Sequence, residues 1–413
     1  MKILHLSTSD IEGGAARASY RLHQALLSKK SDSQMLVRAK FSSDREVIAE
    51  KSLLTKLGPP TTSWPLRFYP QRDRAMFSVQ WFPDILSKKV KSINPDIINL
   101  HWVCNGFLQI ETLAKFNKPI VWTLHDMWAF TGGCHYAGDC DNYQHTCGSC
   151  PHLKSNQKQD LSFWTKLRKE KAWYKLNLTI VSPSQWLGEC ARNSSLFKNK
   201  PVTVIPHGLD LKKYQPIDKS IARTILHLPL DKKLVLFSAV TGTSDLRKGF
   251  PLLEAALQSL SQSVWQDKIE LVVVGSANIN HFSNLGFKVH CLGQFYDDLS
   301  LAVAYSAVDV TVIPSTQEAF GQIASESLAC GSPVVAFNTT GILDIVKHQQ
   351  DGYLAVPFEI QDLARGITWI LEDSQRYLQL CTRARQKAER AFPWSTQADR
   401  YLSLYDEILS KNK

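Results

Sequence analysis

Two carboxylates lie eight residues apart in one short segment, and they carry the clearest chemical signal of this 413-residue chain. The segment 314–336, PSTQEAFGQIASESLACGSPVVA, reads as a strand end, a loop, a helix, a glycine turn and a second strand. Glu318 lies in the loop, and Glu326 lies about two turns along the predicted helix, where a carboxylate can accept hydrogen bonds from ribose hydroxyls. Phe320 and Gly321 open that helix, and the backbone N–H groups of such an N-terminus favour a phosphate. The segment therefore predicts a site for ribose and phosphate.

Cationic side chains suited to the same chemistry occur in the sequence RKGF, at Arg247 and Lys248. Fixed cations stabilise negative charge that develops on a phosphate, and each well-placed donor or cation contributes about 10²–10³ in rate. His125 ends the apolar run IVWTLH, which is a predicted strand. Gly13 and Gly14 follow the first predicted strand, where the lack of a side chain would let the backbone approach a ligand closely.

Alternating strand and helix signals form two blocks that would position these residues. The strand candidates of the first block are 2–7, 34–37, 96–101, 120–125, 178–182 and 202–206. Those of the second block are 234–239, 269–275, 288–292, 309–314 and 333–337. Short apolar runs that alternate with helices predict parallel, doubly wound sheets covered on both faces. Such sheets bind ligands at the carboxyl ends of their strands, and the cleft between two facing domains is the default site.

The motif E-x-F-G, with a second Glu eight residues after the first and then C-G-x-P-V-V-A, resembles the retaining glycosyltransferases of family 4. The resemblance extends over the chain, through the glycine turn after the first strand, a His-Asp pair at a strand end, the hinge VIPHG and a Lys-Gly pair that opens a helix. The segment H-D-x-W-x-x-T-G-G-C-H is similar to that of bacterial exopolysaccharide and colanic-acid transferases. His207, in the hinge, is expected to be structural.

The resemblance implies the GT-B fold, an α/β architecture of two Rossmann-like doubly wound domains that face a central cleft. It predicts an acceptor-binding domain over 1–207, a nucleotide-sugar-binding domain over 208–393, and a crossover helix over 394–413 that packs on the first domain. It implies that a UDP- or GDP-hexose donor binds without a catalytic metal. The donor-binding residues would be Gly13, Gly14, Arg247, Lys248, Glu318, Ala319, Phe320, Gly321 and Glu326.

Individual roles also follow from the resemblance. Glu318 would bind the donor sugar's hydroxyls, Arg247 and Lys248 would neutralise the departing diphosphate, and His125 would sit beside the reacting sugar. In the mechanism usually proposed for the family, the leaving phosphate itself takes the acceptor's proton. Family members usually carry a Gly-Arg pair about five residues before the Lys of the Lys-Gly pair; Thr243 stands there instead, and Arg247 would replace the missing cation.

Four of the nine cysteines cluster in the loop 132–151 with the spacing C-x5-C-x6-C-x2-C. These residues are Cys134, Cys140, Cys147 and Cys150. Four thiolates can hold a tetrahedral structural zinc, and C-x2-C is a normal half-site. Reduced structural thiols, disulfides and an iron–sulfur cluster are the alternatives that the spacing leaves open.

The formal charge of +10 indicates an anionic partner such as phosphate, anionic lipid or nucleic acid. There is no run of about 18 apolar residues and the first residues are too polar for a secretory signal, so we expect a cytoplasmic protein. Two stretches, 64–81 and 163–175, combine basic and aromatic residues in a way that suits an anionic membrane surface. The resemblance implies a saccharide or lipid-linked acceptor and no nucleic-acid partner. A lipid-linked acceptor would make a peripheral position at the inner face of the membrane useful.

Three other functions compete with the transferase. A nucleotide-sugar epimerase could use the same fold, since fold does not determine function. An NAD-dependent dehydrogenase is disfavoured because EGGAAR, and not G-x-G-x-x-G, follows the first strand. A nucleic-acid-binding protein would use the basic charge and the cysteine loop, but it leaves the second half of the chain unexplained.

Overall fold

The computed structural model describes residues 1–238, 245–275, 282 and 285–411. It divides into two compact units. Unit 1 comprises Met1–Gly208 together with Trp394–Lys413, and unit 2 comprises Leu209–Pro393. Thr243, whose identity bears on the role of Arg247, and Ala239, the predicted last residue of a strand, lie outside the described residues. No helix in the described part of the chain is long and apolar enough to cross a membrane.

Unit 1 is built on a seven-stranded sheet in the order β3-β2-β1-β4-β5-β6-β7, in which every pairing is parallel. Its strands are β1 Lys2–Ser9, β2 Asp32–Ala39, β3 Val47–Ala49, β4 Ile97–Leu100, β5 Ile120–Thr123, β6 Leu178–Ser182 and β7 Val202–Val204. Its helices up to the hinge are α1 Gly14–Ser28, α2 Leu53–Thr62, α3 Leu86–Ile93, α4 Leu161–Trp173 and α5 Gln185–Asn193. The strand order reverses between β1 and β4, which is where such sheets form a ligand crevice.

Unit 2 carries a six-stranded, fully parallel sheet in the order β10-β9-β8-β11-β12-β13. Its strands are β8 Lys233–Ser238, β9 Ile269–Val274, β10 Val289–Cys291, β11 Val310–Ile313, β12 Val334–Phe337 and β13 Gly352–Ala355. Its helices are α6 Lys219–Ile225, α7 Phe250–Ser261, α8 Asp298–Ala307, α9 Gln322–Ala329, α10 Ile360–Leu371 and α11 Ser374–Ala391. The strand order reverses between β8 and β11. The prediction of two Rossmann-like α/β domains with parallel sheets is confirmed.

Both faces of the unit 2 sheet are covered, which explains its continuous apolar strands. In β8, Leu234 and Leu236 join one buried cluster, whereas Val235 and Phe237 join another on the opposite face. This alternation is the two-residue period of a strand, and an apolar residue at every position is what a sheet with helices on both faces requires.

The last helix, α12 (Trp394–Ser410), belongs to unit 1. Its Tyr401 and Tyr405 are fully buried against the cluster that contains residues of α1 and the sheet. Asn99 Nδ2 donates to Tyr405 Oη over 2.7 Å, and Thr123 Oγ1 lies 2.9 Å from Tyr401 Oη. Polar contacts from β4 and β5 therefore fix the position of α12 on the sheet.

Candidate active site

The turn that precedes α7 is fixed against the end of β11. Arg247 and Lys248 lie in a 3-10 turn, Leu246–Lys248, and the Arg247 carbonyl accepts a hydrogen bond of 2.8 Å from Thr316 N. Gly249 has φ +68°, and a Cβ at this position would overlap the carbonyl oxygen of Pro314. Glycine is therefore required after Lys248 both for the backbone conformation and for the close approach to the strand end.

The structure brings Arg247, Lys248 and Glu318 together at the reversal point of the unit 2 sheet. Lys248 Nζ lies 2.6 Å and Arg247 Nη1 lies 3.7 Å from Glu318 Oε1. Arg247 also donates to the carbonyl of Gln317 over 2.9 Å and pairs with Asp245. The two cations are thus held at the carboxyl end of β11, where a phosphate would bind in a fold of this kind.

Glu318 is only 9% exposed and stays ionised because its partners compensate for its burial. Burial raises the pKa of its carboxyl, but the charges of Lys248 and Arg247, with hydrogen bonds from Lys248 and Ser315, outweigh this effect and hold the pKa below its usual value. Ser315 Oγ donates to Glu318 Oε1 over 2.9 Å, and Thr340 Oγ1 accepts from the Glu318 backbone N–H over 3.0 Å. Sequence reasoning missed Ser315 and Thr340, since a hydroxyl residue carries no signal of its own.

The N-terminus of α9 follows Glu318 directly. Gly321 caps the helix with φ +102°, and a Cβ there would overlap the side chain of Ile342. The helix begins at Gln322, one residue after the predicted opening at Phe320 and Gly321. Ala319 and Phe320 are buried beside it. The conformation of Gly321 therefore allows the chain to enter the helix close to the end of β11.

Glu326 lies on the buried face of α9 and is 4% exposed. Tyr305 Oη, from α8, donates to Glu326 Oε2 over 2.9 Å. Burial, followed by the Glu326 charge, raises the pKa of Tyr305 well above its ordinary value, so the hydroxyl keeps its proton and remains a donor. The role of Tyr305 as a partner of Glu326 was not predicted, because an aromatic residue in an apolar helix indicates only a position in the hydrophobic core.

In unit 1, His125 lies just past β5, and its ring contacts the rings of other buried histidines. His101 Nδ1 is 3.0 Å from His125 Nε2, and His5 Nδ1 is 2.9 Å from His101 Nε2. His207 stacks on His125, with ring centroids 5.1 Å apart and planes at 18°. The hinge histidine is thus buried in contact with a predicted site residue, and His5 and His101 were missed because the sequence does not show that β1, β4 and β5 are neighbours.

Asp126, the residue after His125, holds the following loop. Its Oδ2 is 2.6 Å from His135 Nδ1 and accepts from Trp102 Nε1 over 2.9 Å, and its Oδ1 accepts from the Trp128 backbone N–H over 2.8 Å. Burial raises the pKa of Asp126, but the charge and hydrogen bond of His135 lower it further, to a net value below the usual one. Through these contacts Asp126 holds the segment 126–135 in place.

Gly13 and Gly14 are exposed at the start of α1. Gly13 caps the helix with φ +90°, and a Cβ there would have no heavy atom within 4 Å. The backbone conformation, and not crowding within this unit, is therefore what favours glycine at position 13.

The four clustered cysteines, Cys134, Cys140, Cys147 and Cys150, line one small cavity of about 20 Å³. All four are free thiols, and burial raises the pKa of Cys134, Cys147 and Cys150. Within the described ranges, no three His, Cys, Asp or Glu side chains are arranged so that they could hold a metal ion. The four cysteines thus lie around one cavity, and the structural zinc and the alternative of reduced thiols both stay predictions.

Two family models match the chain, one for each half. The model described as Glycosyltransferase Family 4 matches residues 12–213, and that described as Glycosyl transferases group 1 matches residues 218–390. Together they account for most of unit 1 and unit 2. The chain therefore belongs to the group 1, family 4 glycosyltransferases.

Relatives with curated names match about half of the chain. The D-inositol 3-phosphate glycosyltransferase of Thermobispora bispora is 29% identical over 51% of this chain and 51% of its own length. The N,N'-diacetylbacillosaminyl-diphospho-undecaprenol alpha-1,3-N-acetylgalactosaminyltransferase of Campylobacter jejuni is 30% identical over 54% of this chain and 58% of its own. The chain thus spans about half the length of the curated relatives it matches.

Several solved structures are similar to this chain in fold. Sucrose-phosphate synthase from Thermosynechococcus elongatus has a TM-score of 0.71 at 21% identity, over 100% of both chains. The Anabaena protein HepE, in complex with UDP-glucose, has a TM-score of 0.67 at 20% identity, also over 100% of both chains. These similarities support the GT-B fold.

Proposed function

We propose that this protein is a retaining glycosyltransferase that moves a hexose from a nucleotide-sugar to a saccharide or lipid-linked acceptor in exopolysaccharide biosynthesis. The observation that carries the proposal is the contact of Arg247 and Lys248 with Glu318 beside the start of α9. Fixed cations and a helix N-terminus are what a departing diphosphate needs, and a carboxylate is what sugar hydroxyls need.

The proposed reaction uses the residues of this site as follows. The bond between the sugar C1 and the phosphate oxygen breaks, and its electron pair goes to the phosphate, whose charge Lys248 and Arg247 neutralise without a catalytic metal. The acceptor hydroxyl attacks C1 on the same face, and its proton passes to the leaving phosphate oxygen. Glu318, held ionised, binds the hydroxyls of the donor sugar.

Glu326 is proposed to bind the ribose of the donor. Its carboxylate, whose Oε2 accepts from Tyr305 Oη, is the kind of acceptor that ribose hydroxyls need. The hydrogen bond from Tyr305 fixes one oxygen and thereby the orientation of the carboxylate. HepE, which has the same fold, forms complexes with UDP and with UDP-glucose, and UDP is therefore the first nucleotide to test.

Thermal unfolding with UDP, GDP, ADP and dTDP tests this proposal. A nucleotide at 100 times its dissociation constant stabilises the folded state by about 2.7 kcal/mol, and we expect this upward shift with one of the four. The shift should disappear in Glu326→Gln and remain in Glu270→Gln, a control in the same unit that replaces another buried glutamate. No shift with any nucleotide, or equal loss in both variants, would contradict the donor site. Conversion of free nucleotide-hexose without acceptor would favour the epimerase.

Exposed apolar side chains in one segment of unit 1 support the lipid-linked acceptor. Five large apolar side chains of the segment 53–76 are between 51% and 76% exposed. They are Leu53, Leu57, Trp64, Phe68 and Met76. Exposed cations alternate with them at Lys51, Lys56, Arg67 and Arg74. Apolar side chains that insert at the acyl boundary, flanked by Lys and Arg, suit an anionic bilayer.

The second predicted membrane stretch, 163–175, is exposed only in part, at Trp164, Lys171, Tyr174 and Lys175. Lys166, Lys169 and Trp173 are buried, and Arg168 pairs with Glu111 at 2.8 Å. The second stretch therefore stays a prediction, and membrane contact is proposed for the segment 53–76.

Vesicle co-sedimentation tests the membrane contact. At low salt, we expect binding to phosphatidylglycerol vesicles and not to phosphatidylcholine vesicles, because the cations of the segment attract anionic headgroups. Trp64→Ser/Phe68→Ser should lose this binding, while Leu230→Ser/Leu378→Ser, which replaces exposed leucines of unit 2, should keep it. Equal binding of the two double variants would refute the assignment to the segment 53–76.

A further inference from the structure

Three histidines of unit 1 form a continuous hydrogen-bonded row, which we call the histidine chain: His5, His101 and His125. His5 lies within β1, His101 follows β4, and His125 follows β5. Their nitrogens are 2.9 Å and 3.0 Å apart at the two contacts. Because β1, β4 and β5 are consecutive in the sheet, the strand spacing itself places the rings within reach of one another.

The interior of the unit keeps these rings neutral. His5 is fully buried and His101 is 2% exposed. Burial, followed by the charges of neighbouring histidines, lowers the pKa of both well below the ordinary value. Burial lowers the pKa of His125 to about 4, although the Asp126 charge opposes this shift. At neutral pH each ring therefore carries one N–H, and each contact needs one donor and one acceptor.

Only two proton arrangements satisfy both contacts. In the inward arrangement, His125 Nε2–H donates to His101, and His101 Nε2–H donates to His5, so the proton of His5 must lie on its Nε2. In the outward arrangement, His5 Nδ1–H donates to His101, and His101 Nδ1–H donates to His125 Nε2. The proton of His125 then lies on its Nδ1.

The environment of His5 distinguishes the two arrangements. His5 Nε2 is buried and has no hydrogen-bond partner within the described part of the chain. The inward arrangement places an N–H there, and a buried N–H without an acceptor is among the rarest features of folded proteins. The outward arrangement leaves only a lone pair at this nitrogen and gives both ring contacts a donor.

We infer that His101 is a positioning residue which holds His125 as its Nδ1–H tautomer, so that His125 acts on the substrate as a hydrogen-bond donor and not as a base. The inference rests on the proposed function and on the position beside the reacting sugar that the family resemblance implies for His125, where it would donate to a sugar hydroxyl or phosphate oxygen. His207, stacked on His125, fixes the plane of the ring in which that N–H lies.

Two variants of similar size separate the role of His101 toward His125 from its role in packing. In His101→Asn, the side-chain amide lies where Nδ1 was and can still donate to His125. In His101→Gln, the amide extends toward the former Nε2 position and can serve only the contact with His5. Both variants keep a polar group in the same buried space, so a general packing defect should affect both.

Nitrogen-15 NMR of histidine-labelled protein reads the tautomer directly. With the His125 signals assigned by their loss in His125→Gln, we expect the Nδ1–H pattern in the wild type and in His101→Asn. In His101→Gln we expect the Nε2–H pattern or a mixture. An Nε2–H pattern for His125 in the wild type overturns the inference, whether or not any transferase activity is found.

Measurements of kcat and of nucleotide binding provide a second test of the role of His101. We expect kcat to fall about tenfold in His101→Gln, as for loss of one hydrogen bond, and to stay within about threefold in His101→Asn. The nucleotide-induced thermal shift should remain in both, because unit 2 carries the proposed nucleotide site. Equal loss of kcat in the two variants overturns the positioning role. Absence of any nucleotide shift in the wild type would instead count against the proposed function.

Discussion

Lys248 Nζ lies 2.6 Å from Oε1 of Glu318, although 70 positions separate the two residues in the chain. Neither side chain determines this contact alone: Gly249 and the hydrogen bond from Thr316 hold the 3-10 turn of Lys248 against the strand that precedes Glu318. An ammonium group has three donors, so the ion pair leaves Lys248 able to bind a phosphate oxygen as well. The pair therefore orients a cation before the ligand arrives.

Replacing Lys248 by Met should lower kcat about 10²–10³-fold, because a fixed cation that stabilises the leaving diphosphate is removed. The nucleotide-induced thermal shift should decrease, and the variant should stay folded, since Arg247 remains 3.7 Å from Glu318. Lys288→Met is the control, because it breaks a Lys–Glu pair in the same unit, with Glu270 at 3.6 Å. Steady-state kinetics on both variants check this, and similar kcat values would refute the role of Lys248.

Gly249→Ala should destabilise the protein more than Gly293→Ala does. Both glycines have a positive φ, of +68° and +71°, so both substitutions carry the cost of about 1–2 kcal/mol for a left-handed non-glycine residue. Only at Gly249 would the new Cβ overlap a backbone atom, the Pro314 oxygen, whereas a Cβ at Gly293 has nothing within 4 Å. We expect a further cost of about 1–3 kcal/mol at Gly249, measured by urea unfolding. Equal costs would show that the contact with Pro314 is relieved easily.

The sequence was sufficient for the architecture, because alternating apolar runs leave a periodic signal that identifies parallel strands. It was sufficient for grouping Arg247 and Lys248 with Glu318 only through the resemblance to the family. It was insufficient for Tyr305 and for the histidine chain, whose members come from separate elements. Their association depends on strand order, which local patterns do not determine.

The stretch 163–175 shows a second reason why the sequence alone is insufficient. Basic and aromatic residues in a helix were interpreted as a membrane-facing surface, but Lys169 inserts beneath the loop of Trp128 and Thr131. The sequence pattern of an amphipathic helix does not distinguish a cation in solvent from one bound by backbone carbonyls. Only the neighbouring loop, whose short 3-10 turn Trp128–Phe130 has no clear sequence signature, decides between them.

Tyr405→Phe should destabilise the protein more than Tyr401→Phe, although both remove one hydroxyl from α12. Asn99 Nδ2 donates to Tyr405 Oη, so its loss leaves a buried donor without this acceptor, at a cost of about 1–3 kcal/mol. Thr123 Oγ1 donates to Asn99 Oδ1, so it accepts from Tyr401, and its own proton keeps a partner when Tyr401 is changed. Thermal and urea unfolding of the two variants should rank them in this order. The reverse order would contradict the assigned donor directions.

Lys169 should make stability rise with pH above neutrality. Its ammonium is fully buried over the Trp128 ring, 3.8 Å from the centroid, and donates to the carbonyls of Trp128 and Thr131. Burial lowers its pKa from 10.5 to about 7. The unfolded state therefore binds a proton between pH 7 and 10.5 that the folded state does not, so folding gains stability as the pH rises through this window.

The comparison with Lys169→Met isolates this contribution, because methionine keeps most of the buried stem and cannot titrate. From pH 7 to pH 9, the wild type should gain stability relative to the variant by up to about 1.4 kcal/mol per pH unit. Below pH 7 the difference between the two should become constant, since Lys169 is then protonated in both states. Urea unfolding at pH 6, 7, 8 and 9 measures the difference. A difference that does not vary with pH would mean that Lys169 remains charged throughout, held by its carbonyl partners and the Trp128 ring.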